Sequence, residues 1–174
     1  MRKRILVLAA GLVSLPALAA DAPAPIPKEG SVSYVNVTSG TVKVLALGKE
    51  QAQVSYETMG VVTSPAGDGL LHNSSVRCMG GFHVVNGGWN DGSGSCIYTR
   101  LDGDQVFVTY KAAGKLAVPG KSPTTAKGTF TFVGGTGKLA GITGGGEWTR
   151  VSVRPAAEGT TQSVANYTGK YKLP

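Results

Sequence analysis

The stretch with the most chemical promise is Phe132–Gly141, FVGGTGKLAG, which follows the strand-like run Thr129–Val133 and has the glycine, threonine and lysine content of a phosphate-binding loop. A P-loop requires G-x-x-x-x-G-K-[ST], so that backbone N–H groups cradle phosphate oxygens and the hydroxyl holds magnesium. Aligned on Gly137-Lys138, Phe132 stands where the first glycine belongs and Leu139 where the hydroxyl belongs. Gly135–Ala140 does fit the dinucleotide pattern G-x-G-x-x-[GA], but that motif must open a long helix whose N-terminus receives the pyrophosphate. Only Lys138–Ile142 separate Gly137 from the breaker run Thr143–Gly146. A nucleotide cofactor is therefore not expected, and no other cofactor motif is present.

Other groups are weighed the same way. Glu147 alternates with Thr149, Val151 and Val153 on the more apolar face of its strand, and Glu57 shares a face with Met59 and Val61. Turned into an apolar interior, either carboxylate would have a raised pKa and could serve as a general acid or base; otherwise both are exposed strand charges. Phe130 and Phe132 share one face of a strand and are candidate ligand contacts. Trp89 opens the polar segment WNDGSGS and is either a ligand-stacking indole or a lid folded over its own core, the second being the simpler reading. Asn90, Asp91, Ser93 and Ser95 lack the regular acidic spacing of a calcium loop. His72 and His83 have no partner spacing of a metal site and are read as structural or surface residues. No G-x-S-x-G elbow is present.

These side chains need a scaffold, and the chain prescribes strands. The hydrophobic period is two almost throughout, giving candidate strands at 31–38, 41–48, 51–62, 70–80, 95–101, 105–112, 126–133, 147–154 and 162–171. Turn signals separate them: Ser39-Gly40, Pro65–Gly69, Asn86–Gly88, Asn90–Gly92, the hairpin signal Asp102-Gly103, and Pro155–Gly159. With no convincing helix, eight or nine strands joined by short loops predict an all-β, antiparallel up-and-down barrel of about eight strands. In that frame Gly134, Gly135 and Gly137 permit a chain reversal after the Phe130/Phe132 strand. Leu139 and Ile142 would lie on one side of a single helical turn and plug a barrel end.

The N-terminus reads as an export signal: Arg2-Lys3-Arg4, the apolar run Ile5–Leu15, and Ala17-Leu18-Ala19 as a cleavage site, with cutting before Ala20 and a periplasmic or secreted product. The Pro/Ala-rich segment to Gly30 is expected to be a flexible arm, followed by one domain over 31–174. Loss of Arg2, Lys3 and Arg4 lowers the formal charge from +7 to +4. The remaining cations are scattered singly from Lys28 to Lys172, without a run or interleaved aromatics, so no nucleic-acid partner is expected; attraction to acidic glycans or anionic lipid surfaces stays open, although the pattern does not argue for it. Cys78 and Cys96, an even pair in an exported chain, are expected to form a disulfide that stabilises by about 3 kcal/mol.

The segment GGTGKLAGITG, Gly134–Gly144, is similar to the glycine-rich stretch near the end of allene oxide cyclase and dirigent-like barrels and their bacterial relatives. The resemblance covers about a dozen residues and the general order of strands. It implies a small antiparallel barrel, often oligomeric, with an apolar lumen that holds a hydrophobic molecule; some members guide cyclisation or radical coupling without a cofactor. The chain departs from the family in its export signal, its cysteine pair and the polar loop 86–95. A barrel hosts many functions, so three readings remain: a binding module for a small hydrophobic or aromatic ligand, a cofactor-independent cyclase or isomerase using Glu147 or Glu57, and an outer-membrane barrel. The last is disfavoured by aromatics at only 7% and an end at Leu173-Pro174 without a terminal aromatic, so no stable membrane insertion is expected.

Overall fold

The computed structural model describes residues 25–174; the expected signal and cleavage site lie outside them. Eight strands run β1 (Glu29–Ala46), β2 (Gln51–Thr63), β3 (Ser74–Val85), β4 (Gly88–Thr99), β5 (Gln105–Lys115), β6 (Thr124–Gly135), β7 (Thr143–Val153) and β8 (Thr160–Lys172). Each pairs antiparallel with the next, and β8 returns to β1, with Tyr34 opposite Tyr167, so the expected up-and-down barrel is closed. Closure leaves no free sheet edge.

Two expected turns are not turns. Ser39-Gly40 lies inside the 18-residue strand β1, so the two candidate strands 31–38 and 41–48 are one. Glycine is needed there because a Cβ on Gly40 would come within 1.9 Å of the Glu57 carbonyl oxygen, where β1 and β2 coil tightly against each other. Asn90–Gly92 is a register shift in β4 rather than a loop. There Asp91 Oδ1 accepts the His83 backbone N–H at 3.1 Å, which occupies the acidic group of the calcium reading. The Asp102-Gly103 signal does mark a reversal, but the connection runs from Arg100 to Asp104. Leu70 and Leu71, read as strand, belong to the loop before β3 and are buried. The later half of the expected arm is also part of the fold: β1 begins at Glu29, and the Tyr171 hydroxyl donates to the Pro27 carbonyl at 3.2 Å.

The alternation of each strand sorts the chain into a polar wall and an aromatic interior. Val32, Tyr34, Val54, Val76, Tyr98, Val106, Val108, Phe130 and Tyr167 are buried, while neighbours such as Ser33, Ser75 and Thr131 are exposed. An eight-stranded barrel is just wide enough for side chains to fill it. At the end where β1 starts and β8 finishes, the interior is solid. The Tyr34 and Tyr167 rings stack at 4.7 Å, and Phe130 and Phe132 meet edge to face at 5.4 Å. Cys78 and Cys96 stand opposite each other on β3 and β4 and are joined by a disulfide inside this wall, Sγ–Sγ 2.03 Å.

Leu139 and Ile142 close that end, 0% and 1% exposed, on the one-turn helix Gly137–Leu139 and the residues after it. The glycine-rich stretch is thus a plug. Gly134 and Gly135 still belong to β6, and the reversal is made at Gly137, φ 53°, and Gly141, φ 74°. A Gly137→Val chain would combine a β-branched residue in the left-handed region with a Cβ placed 1.8 Å from Asp104 Oδ1. Thermal or urea unfolding is expected to show a loss of about 2–3 kcal/mol; unchanged stability would rule out this account of the turn.

Candidate functional site

The glycine-rich loop does what a phosphate loop does, but for an internal carboxylate. The Lys138 backbone N–H donates to Asp104 Oδ2 at 3.0 Å, and Lys138 Nζ lies 3.1 Å from Asp102 Oδ2. The hydrogen bond from Lys138, with help from the Asp104 N–H and Arg100, holds the Asp102 carboxyl down at about 2. A ligand anion would have to displace both carboxylates, so this end of the barrel is structural.

The opposite end is open. Among the strand ends of β1, β2, β3, β7 and β8 and the β5–β6 and β7–β8 loops lies a cavity of about 1080 Å³, partly open to solvent. Its deeper walls are Val42, Val54, Val84 and Phe82, with Tyr56 and Arg150 among the lining groups. Inward positions of β1, β2, β3 and β7 supply them, because alternation continues past the aromatic fill while the side chains become smaller: Val42, Val54, Val84 and Ser152 stand where Tyr34, Tyr98 or Phe130 stand in the other half.

Arg150 is the exceptional group. Its guanidinium lies over the Tyr56 ring, 5.7 Å from the centroid, and its Nε is buried without a hydrogen-bond partner. A buried donor left unpaired costs about 1–3 kcal/mol. The charged residues lining the cavity are Lys121, Arg150 and Arg154, with no carboxylate among them. Beneath Arg150, Tyr56 and Tyr110 share a hydroxyl–hydroxyl hydrogen bond of 2.5 Å. Burial first, and the neighbouring Tyr56 second, push the Tyr110 phenol far above its ordinary value, so Tyr110 keeps its proton at physiological pH. The site therefore offers an apolar chamber, three lining cations of which Arg150 is half-buried beside Tyr56, and a hydrogen-bonded pair of phenols.

The residues singled out from sequence fall elsewhere. Glu147 does not face inward: it is exposed, and the inner face of β7 is Trp148, Arg150 and Ser152. Val151 and Val153 made the other face look like the core face, yet they are 45% and 50% exposed. Glu57 also lies on the outer wall, ion-paired with Arg77 at 2.6 Å. Phe130 and Phe132 sit in the solid half, away from the cavity lining. Trp89 is the lid rather than an exposed platform: it is buried, stacked on Phe82 at 4.3 Å, and fits because Gly114 has no side chain, whose Cβ would meet the indole at 2.2 Å. It supports the cavity wall through Phe82. His72 Nδ1 accepts the Ser64 N–H, and His83 pairs through its backbone with Asp91. Among the described residues no three His, Cys, Asp or Glu side chains converge as a metal site.

The chain matches no family model, no curated protein and no solved structure.

Sequence reasoning passed over Arg150, Tyr56 and Phe82. The available signal was the period-two set Trp148, Arg150, Ser152, a face that begins with a tryptophan; it was outweighed by the valines of the opposite face.

Proposed function

We propose that this chain is an exported barrel that binds a small hydrophobic or aromatic molecule in the open half of its lumen, with an anionic or acceptor group of that molecule directed at Arg150. The observation that carries this reading is the apolar chamber of about 1080 Å³ holding a guanidinium with an unpartnered Nε and no carboxylate. Pockets of that size, mostly apolar with a few placed polar groups, are typical small-molecule sites. The disulfide fits an oxidising compartment, and the signal-like run 1–19 supplies the route. No described helix is long and apolar enough to cross a membrane. Charged residues at mid-wall, Lys111, Lys127 and Glu147, are exposed, and such groups would be costly facing lipid; this supports the reading without stable membrane insertion. Membership of the allene oxide cyclase and dirigent-like superfamily is a proposal resting on Gly134–Gly144, since many families share a barrel. The cyclase or isomerase reading has no support from Glu147 or Glu57, neither of which reaches the lumen.

The test is a melting-temperature panel of alkyl and aryl carboxylates against neutral alcohols of the same skeleton. A true ligand at one hundred times its Kd stabilises by about 2.7 kcal/mol, and carboxylates are expected to bind more tightly. Arg150→Met should keep the fold and lose that preference by roughly 10- to 100-fold, the worth of a hydrogen bond to a charged group. No shift with any compound would overturn the binding reading, and an unchanged preference in the variant would overturn the role of Arg150.

A further inference from the structure

We propose that the open end of the barrel docks onto an anionic lipid bilayer. Cations scattered in sequence are gathered there by topology: Lys43 lies near the end of β1 and Lys49 in the β1–β2 connection, Lys115 ends β5 and Lys121 lies in the β5–β6 loop, and Arg154 begins the β7–β8 loop. All five are exposed, none is ion-paired with a described carboxylate, and only Glu50 and Glu158 oppose them on the same loops. The closed end differs, because its Asp102 is already paired with Lys138 and Arg100.

Apolar side chains are exposed between these cations. Leu45 is 64% and Leu47 53% exposed, and Val85, Leu116, Val118 and Val153 complete the rim. Solvent-exposed leucine and valine interleaved with lysine match an interface that offers anionic headgroups outside and acyl chains just beneath. A polyanion such as nucleic acid would satisfy the lysines and leave the leucines in water. A second copy placed mouth to mouth would set like-charged rims against each other, which costs free energy. Charge complementarity therefore selects the anionic bilayer as occupant, and the same rim opens into the cavity, so a lipophilic molecule could pass between bilayer and barrel without crossing water. The docking inference goes beyond the ligand reading and does not depend on it.

Vesicle flotation tests it with the full mature chain. Binding is expected to vesicles of phosphatidylglycerol and phosphatidylcholine in equal parts, to be weak on phosphatidylcholine alone, and to fall as salt is raised. Each cation near such a surface strengthens binding roughly fivefold, so Lys43→Gln, Lys49→Gln and Lys121→Gln together should weaken it on the order of 100-fold. Leu45→Glu with Leu47→Glu should abolish it, while Leu101→Glu, at the closed end and 85% exposed in the parent, should leave it intact. Melting curves check that each variant is folded. Absence of binding, equal binding to neutral vesicles, or equal loss with Leu101→Glu would overturn the proposal. So would self-association that the Leu45/Leu47 variant abolishes while vesicles are ignored, since a second copy would then be the occupant. Ligand uptake measured in vesicle-free buffer keeps failure of docking distinct from failure of ligand binding.

Discussion

Raising the pH from about 10 to about 12 is expected to unfold the barrel cooperatively. Tyr34, Tyr110 and Tyr167 have phenols held far above the ordinary value, in each case chiefly by burial and then by other tyrosines nearby, and Tyr98 is shifted the same way. Their raised folded-state pKa values mean that the folded chain keeps protons that the unfolded chain, titrating near 10, releases. The stability these groups contribute is fully present below pH 10 and is lost as pH rises above it. Two pH units above the free phenol value, three such groups favour unfolding by about 8 kcal/mol, comparable to the whole stability of a typical domain. Denaturant midpoints measured from neutral to alkaline pH, with refolding checked on return to neutral, provide the test. A midpoint that stays flat through this range would show that the tyrosines are not sealed from water. Tyr34→Phe sharpens it, since the Tyr34 hydroxyl is buried without a partner. That variant should match or exceed the parent at neutral pH, because an unsatisfied polar atom is removed, and should lose stability less steeply above pH 10.

Phe130→Ala is expected to cost about 3–5 kcal/mol, the range for truncating a buried aromatic side chain. Phe130 is 2% exposed and meets three rings: Phe132 at 5.4 Å, Tyr167 at 5.5 Å and Tyr34 at 6.3 Å. Those rings are fixed by a closed wall and by the Leu139/Ile142 plug, so the space left behind cannot collapse, and the cavity penalty adds to the transfer penalty. A fall in melting temperature of roughly 10 °C should accompany it. Ligand affinity measured below that temperature should change little, because Phe130 does not line the open chamber. A variant that kept its stability but lost ligand binding would place the ligand in the aromatic half and overturn the division of the lumen into a filled part and an open one.

Much of this architecture could be read directly from the chain. The period of two fixed strands, the glycine and asparagine clusters fixed most reversals, and Leu139 with Ile142 three residues on defined the plug, because these features depend on a few neighbouring residues and on backbone geometry alone. The cysteine pair was equally legible: two thiols on adjacent strands, with no other cysteine in the chain, have little choice of partner. Failures came where local signals were answered by a distant strand. Gly40 looked like a turn but serves the close approach of Glu57, and Gly92 marks a bulge beside the Trp89 lid.

The site was the least legible part. Which face of β7 points inward is decided by its register with β6 and β8 on either side, so Glu147 faces outward although its valine neighbours suggested the interior, and Arg150 faces inward with Trp148. Sequence by itself determined that this chain closes into a disulfide-bonded barrel with one plugged end, since alternation, turn residues and the cysteine pair act over short range. Only the tertiary structure decided where the lumen stays open, that Arg150 stands over Tyr56 in it with no carboxylate among the lining residues, and that Lys43, Lys49, Lys115, Lys121 and Arg154 share one rim. Closure of the barrel brings together loops more than a hundred residues apart, and charge that is dilute along the chain becomes concentrated in space.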